Sequence, residues 1–251
     1  MLQPSPMSGS FYDSMPDRYR RAFDKDASRE HAAIVARRAG APVHGEIWQR
    51  LPRGGVVACF VADDRPGLLS FIAAALAARS MDVIAAQVYT RPPAEGRPAE
   101  AVDFLWLRRE GDLGAPVLEA DIARIAETVR ALAVGEVSID AVVRKARAAR
   151  PAPAGALTRV TFNEGPDEGL AVLTVETFDR PGLLLAITCA LFGAQVQITA
   201  SDATTQKGRV VDTFTLAELD GTPIHRQRRG VVQMAVLGAI DALARGDVSS
   251  S

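Results

Sequence analysis

One hexapeptide, Asp-Arg-Pro-Gly-Leu-Leu, occurs twice in this 251-residue chain, first as Asp64 to Leu69 and again as Asp179 to Leu184. An apolar run precedes each copy, Val56 to Ala62 and Leu170 to Thr177, rich in the β-branched residues that favour strands. A helical apolar pattern follows each, with Leu68, Leu69, Ile72 and Leu76 matching Leu183, Leu184, Ile187 and Leu191. The peptide itself reads as a helix start. Proline suits the first helical turn, glycine admits close backbone approach, and the aspartate can accept hydrogen bonds from the open amides. The same peptide between a strand and a helix, twice, is an internal repeat.

The 115-residue offset from Asp64 to Asp179 persists downstream, where Asp82-Val83-Ile84-Ala85 falls on Gln197-Ile198-Thr199-Ala200 and begins a second strand. After a hairpin the copies realign as Ala101-Val102-Asp103-Phe104 and Val210-Val211-Asp212-Thr213-Phe214. An amphipathic helix closes each copy, Val117 to Leu132 and Ile224 to Leu243. The expected fold class is α+β, with two ferredoxin-like βαββα units in tandem, each an antiparallel sheet with helices on one face. Neither copy shows a strand after its second helix. The hairpins led by Val43 to Leu51 and Arg159 to Asn163 are therefore expected to fill the sheet position beside the first strand, closing an open edge.

These residues resemble a known family. Tandem units with DRPGLL after the first strand and a Val-Asp-x-Phe third strand look like paired ACT domains, small regulatory modules that bind amino acids. The leader Met15-Pro16-Asp17-Arg18-Tyr19 narrows the resemblance to the C-terminal regulatory region of bacterial PII uridylyltransferases, which sense glutamine. It spans roughly Met15 to the last helix. The implied organisation is a tail and helical leader over 1–42, a first ACT domain with a trailing helix over 43–149, a linker over 150–156 and a second ACT domain over 157–251. Within the leader, the arginines and His31 read as a solvated helix face.

The resemblance implies that an amino acid lies between the hexapeptide turn and the start of the second strand. The nominated residues are Asp64, Gly67 and Leu68 with Asp82, and Asp179, Gly182 and Leu183 with Gln197. The helix dipole and free amides suit a carboxylate, and Asp82 or Gln197 could meet an α-ammonium or a side-chain amide. Many relatives carry Asn at that second-strand position, so both copies depart from the pattern.

Other classes find no support. The net charge of −1 gives no reason for a nucleic-acid or membrane partner, and no apolar run approaches the ~18 residues of a membrane span. Cys59 and Cys189 are not equivalent in the repeat and read as reduced core thiols of a cytoplasmic protein. The three histidines are scattered, and no phosphate loop, paired-cysteine or His-Glu-x-x-His pattern occurs. The expectation is a non-catalytic regulator with no cofactor or metal, binding glutamine or another small amino acid and acting on a partner. A second reading is the regulatory end of a uridylyltransferase/uridylyl-removing enzyme, complementing a separate catalytic portion or meeting a PII-type protein. A third is a ligand-free assembly module, with homodimers forming through the sheets.

Overall fold

A computed structural model describes residues 10–111, 114–144, 157–165, 169–206 and 208–245. The linker expected over 150–156 lies outside the described residues, as do residues 1–9. Each copy of the repeat folds as two strands, a helix, two strands and a helix. The first comprises β1 (Val43–Arg50), β2 (Val56–Asp63), α4 (Leu68–Ala77), β3 (Met81–Arg91), β4 (Glu100–Arg109) and α5 (Glu119–Ala133). The second comprises β5 (Arg159–Glu164), β6 (Ala171–Phe178), α7 (Leu183–Gly193), β7 (Val196–Gln206), β8 (Arg209–Glu218) and α8 (Arg226–Arg245). Between them stands the short α6 (Ile139–Val143), N-capped by the Ser138 hydroxyl.

All eight strands form one antiparallel sheet in the order β1-β2-β4-β3-β7-β8-β6-β5. The leading strand of each hairpin does lie beside the first strand of its copy, as β1 on β2 and β5 on β6. The copies join through β3 and β7, where Ala85 pairs with Thr204, Gln87 with Asp202 and Tyr89 with Ala200. Since Ala85 is the repeat equivalent of Ala200, and Tyr89 of Thr204, every pair in the seam is matched by its mirror image. A pseudo-two-fold axis therefore passes between Gln87 and Asp202. Each seam strand also carries a bulge at the same repeat position, Val83/Ala85 in β3 and Ile198/Ala200 in β7, which raises local twist.

On one face of the sheet lie α4, α5, α7 and α8, burying Phe60, Leu105 and Ile122 in the first copy and Leu173, Phe214 and Val236 in the second. The other face departs from expectation. In the first copy it is covered too, so helices lie on both faces there. The segment read as a tail and one leader helix forms α1 (Phe11–Ser14), α2 (Asp17–Ala22) and α3 (Lys25–Arg37). A break at Phe23-Asp24 separates α2 from α3, because the Asp24 carboxylate caps α3 by accepting from the amides of Asp26 and Ala27. Met15, Tyr19 and Ile34 are buried against Val57, Cys59, Val61, Val102 and Phe104.

His31 accordingly belongs to the core and not to a solvated face. It is fully buried, its Nδ1 lies 2.6 Å from the Tyr19 hydroxyl, and Trp48 and Phe104 enclose its ring with centroids 4.2 and 4.3 Å away. Burial pushes its pKa down to about 4, so the ring is neutral and its Nδ1 accepts a hydrogen bond donated by the Tyr19 hydroxyl. Burial likewise pushes the Tyr19 phenol up to about 12. The leader is fastened at both ends: Arg18 pairs with Asp202 of β7, and Arg38 pairs with Glu100 (3.2 Å) and Asp63 (2.8 Å).

Among the described residues no helix covers the matching face of the second copy. Its first strand alternates buried and half-buried residues, and Val211 is 48% exposed whereas its counterpart Val102 is fully buried. This gives an internal control. Val102→Ala should cost about 2 kcal/mol in urea unfolding, from lost transfer energy and a cavity. The equivalent Val211→Ala should stay within about 0.5 kcal/mol of wild type. Equal costs would contradict the one-sided covering.

Candidate functional site

The hexapeptide folds identically in both copies. Gly67 (φ 83°, ψ −2°) and Gly182 (φ 81°, ψ 2°) take the left-handed conformation, and the amides of Leu68 and Leu183 donate to the carbonyls of Arg65 and Arg180 at 3.2 Å. Each is thus a type II turn with Pro and Gly at its two central positions, which is why that dipeptide is required. Proline precedes the N-cap instead of opening the helix. Glycine is the N-cap, and no side chain caps either helix.

The expected capping role of the aspartates is therefore replaced by another. The Asp64 carboxylate accepts from the Arg65 amide, from Thr90 Oγ1 at 3.1 Å and from Gln197 Nε2 at 3.0 Å. Gln197 comes from the other copy. The sequence pairing sets Asp64, Gly67 and Leu68 with Asp82, and Asp179, Gly182 and Leu183 with Gln197; the structure brings Gln197 to Asp64 of the first turn. Across the pseudo-two-fold axis, each turn faces the second strand of the opposite copy. Asp82 is held by Arg108, with Arg108 Nε 2.6 Å from its carboxylate, and its charge helps raise the Asp179 pKa after burial, while Arg108 lowers it.

Arg65 and Arg180 also diverge. Arg65 donates to the Ala133 carbonyl at the last turn of α5 (2.5 Å), a favourable place for a cation. Arg180 is buried and bonds Thr177 Oγ1 at 3.0 Å, and its Nε and Nη1 have no hydrogen-bond partner. Burial lowers its pKa, countered by Asp241 and Asp179.

A cavity of about 20 Å³ lies at the first turn, between α4 and the α7–β7 corner of the second copy. Its wall includes Asp64, Gly67, Leu68, Asp103, Thr188 and Phe192. A Cβ added at Gly67 would stand 2.8 Å from the Phe192 ring, so this aromatic closes the turn, with Phe71 edge-on to it at 5.9 Å. At Gly182 the nearest atom to such a Cβ is Leu243 Cδ1 at 3.6 Å. The repeat equivalent of Phe192 is Ala77, which explains the difference.

Asp103 and Asp212 are not among the residues nominated from sequence. They occupy one register position in both copies, opposite Phe60 and Val88 and opposite Val175 and Ala203, and both are buried. Burial, then the nearby Asp64, pushes Asp103 well above the usual carboxylate range. Burial raises Asp212 to about 7, partly offset by the Thr204 amide, with Asp179 adding to the rise. Each turn thus has a second carboxyl behind its own aspartate. The signal for it is the repeated Val-Asp, a charged residue at an inward strand position. Among the described residues no group of three or more metal-ligating side chains occurs.

No family model matches the chain. The bifunctional uridylyltransferase/uridylyl-removing enzyme of Rhodospirillum rubrum is 31% identical over 228 residues, 88% of this chain and 24% of the enzyme. The chain is similar to one quarter of that enzyme. Enzymes of the same name from Phenylobacterium zucineum (28% over 246 residues, 96% of this chain and 25% of theirs) and Gluconobacter oxydans (28% over 234, 89% and 24%) repeat the pattern. The chain therefore spans about a quarter of the length of the curated relatives it matches. A trimeric bacterial microcompartment shell protein, PduB, covers 79% of this chain and 88% of its own at 13% identity, but with a TM-score of 0.24 it carries no argument. No helix among the described residues is long and apolar enough to cross a membrane.

Because Asp212 titrates higher folded than unfolded, folding takes up a proton, and stability is lost as pH rises from about 4 to about 7. Asp212→Asn removes that loss. In urea unfolding it should gain on wild type between pH 4 and pH 8, by about 1.4 kcal/mol for each unit of the shift. An equal difference at both pH values would contradict the assignment.

Proposed function

We propose that this chain is the regulatory part of a uridylyltransferase/uridylyl-removing enzyme. Its two copies are ACT domains, bounded near residues 43–149 and 157–251, that sense glutamine or another small amino acid. The observation that carries this reading is the crossed cleft. In each, an uncapped helix N-terminus offers amides to a carboxylate, and acidic or amide side chains from both copies stand close by. A zwitterion has complementary ends. A ligand touching both copies would change how they sit together, which is what a regulatory element needs in order to act on a catalytic portion or a PII-type protein.

The match to a quarter of enzymes named for two activities supports regulation over catalysis in this segment. So does the sequence, which carries no phosphate loop and only three scattered histidines. The purified chain, with Mg²⁺ or Mn²⁺, should neither uridylylate a PII-type protein nor remove uridylyl groups from it. A thermal-shift series over the amino acids tests the sensing role. A ligand at ~100 times its dissociation constant should add ~2.7 kcal/mol and raise Tm visibly. If no amino acid shifts Tm, the sensing role is wrong. Turnover by chain freed of host enzyme would overturn the regulatory assignment.

A further inference from the structure

We propose that Asp103, standing behind Asp64, is the amino-group subsite of the first cleft, and that Phe192 is the side chain that must move to admit an ammonium-bearing ligand to it. This rests on the amino-acid sensing proposed for the clefts and adds two residues to it.

Asp103 is 1% exposed, and its Oδ1 has no hydrogen-bond partner, while the cavity beside it contains about 20 Å³. Leaving a buried carboxyl oxygen without a partner is costly to the fold. Its strand neighbours on the same face, Ala101 and Leu105, are apolar core residues, so packing alone gives no reason for an acid there. The second copy nonetheless places Asp212 at the same register. What the free oxygen lacks is a donor. A space of ~10–15 Å³ takes one water-sized group, and an ammonium is of that size. Two carboxyls facing that space select a cation.

The remainder of an amino acid needs the room above Gly67. There the ring of Phe192 stands within van der Waals distance of the turn backbone, over the N-terminus whose amides would take the ligand's carboxylate. Phe192 is 38% exposed and touches Phe71 only by its edge, so the ring can rotate toward solvent. The Ser70 hydroxyl bonds back to the Gly67 carbonyl at 2.6 Å and leaves the amides free.

The titratable and charged groups around Asp103 are few. Asp64 and Arg65 of the turn line the same cavity, and Cys59 of β2 is the other group close enough to interact; α7 presents Thr188 and Phe192, β7 Val196 and Ile198, and β3 the Tyr89 amide and Val88. Among the described residues Arg65 is the one cation that lines the cavity, and burial favours the neutral acid. An arriving ammonium changes that. The Asp103 carboxyl ionises, its proton passes to the buffer, and a carboxylate–ammonium pair remains.

Calorimetry on the full chain tests this, with L-glutamine and with 4-carbamoylbutanoate, which lacks only the amino group, in buffers of different ionisation enthalpy. Wild type should bind glutamine with net proton release and the analogue at least tenfold more weakly. Asp103→Asn should weaken glutamine at the first cleft at least tenfold and abolish its share of proton release, leaving the second cleft unaffected. Phe192→Ala should tighten binding at the first cleft severalfold. Unchanged affinity and proton release in Asp103→Asn, or equal binding of the analogue by wild type, overturns the subsite while leaving amino-acid sensing intact. Should Asp103→Asn not fold, the analogue and the wild-type proton count still decide. If neither wild type nor Phe192→Ala binds glutamine, glutamine sensing and the subsite fall together.

Discussion

The pairing of β3 with β7 is the interaction on which the rest depends. A long strand edge left open in either copy would expose unpaired amides and carbonyls, and a second, similar copy is the natural partner for it. Because Gln87 stands opposite Asp202 at the centre of the seam, the join has two-fold character. Two-fold pairing of antiparallel strands sends the second strand of each copy toward the turn of the other. The crossed clefts follow from this geometry. Gln197 reaches Asp64, and Asp82 with Arg108 influences Asp179.

Symmetry of the backbone does not extend to the side chains. Val57, Cys59 and Val61 of β2 become Val172, Thr174 and Glu176 in β6, and Phe104 becomes Thr213. The apolar set is sealed by α1–α3, with Tyr19, His31 and Phe104 packed together, and the polar set meets solvent. At the clefts the difference runs the same way. Phe192 fills the space above Gly67, and Ala77 leaves its counterpart open. The two copies share a plan but present different surfaces.

Much of this fold is legible in the chain. The repeat offset locates the strands and helices of both copies to within a few residues, because turn chemistry and apolar periodicity act locally. The need to cover an edge places the leading strands. His31 misleads because its helix is rich in charge, and only the rings of Trp48, edge-on, and Phe104, tilted, packed against it show why the ring is buried. The nominated cleft residues gather around the two turns, but in crossed pairs and not within one copy. Which copy supplies each partner depends on how β3 and β7 align, and local sequence carries no record of that. Asp103 and Asp212 are visible in the repeated Val-Asp, yet their burial depends on the helices laid over them.

The crossed cleft is tested most directly by two double-mutant cycles in urea unfolding. If each turn faces the opposite copy, Asp64→Ala and Gln197→Ala interact, with a coupling energy of about 0.5–3 kcal/mol. Asp64→Ala and Asp82→Ala, the pair within one copy, then add to within about 0.5 kcal/mol. Coupling between Asp64 and Asp82, with additivity between Asp64 and Gln197, would contradict the crossed arrangement.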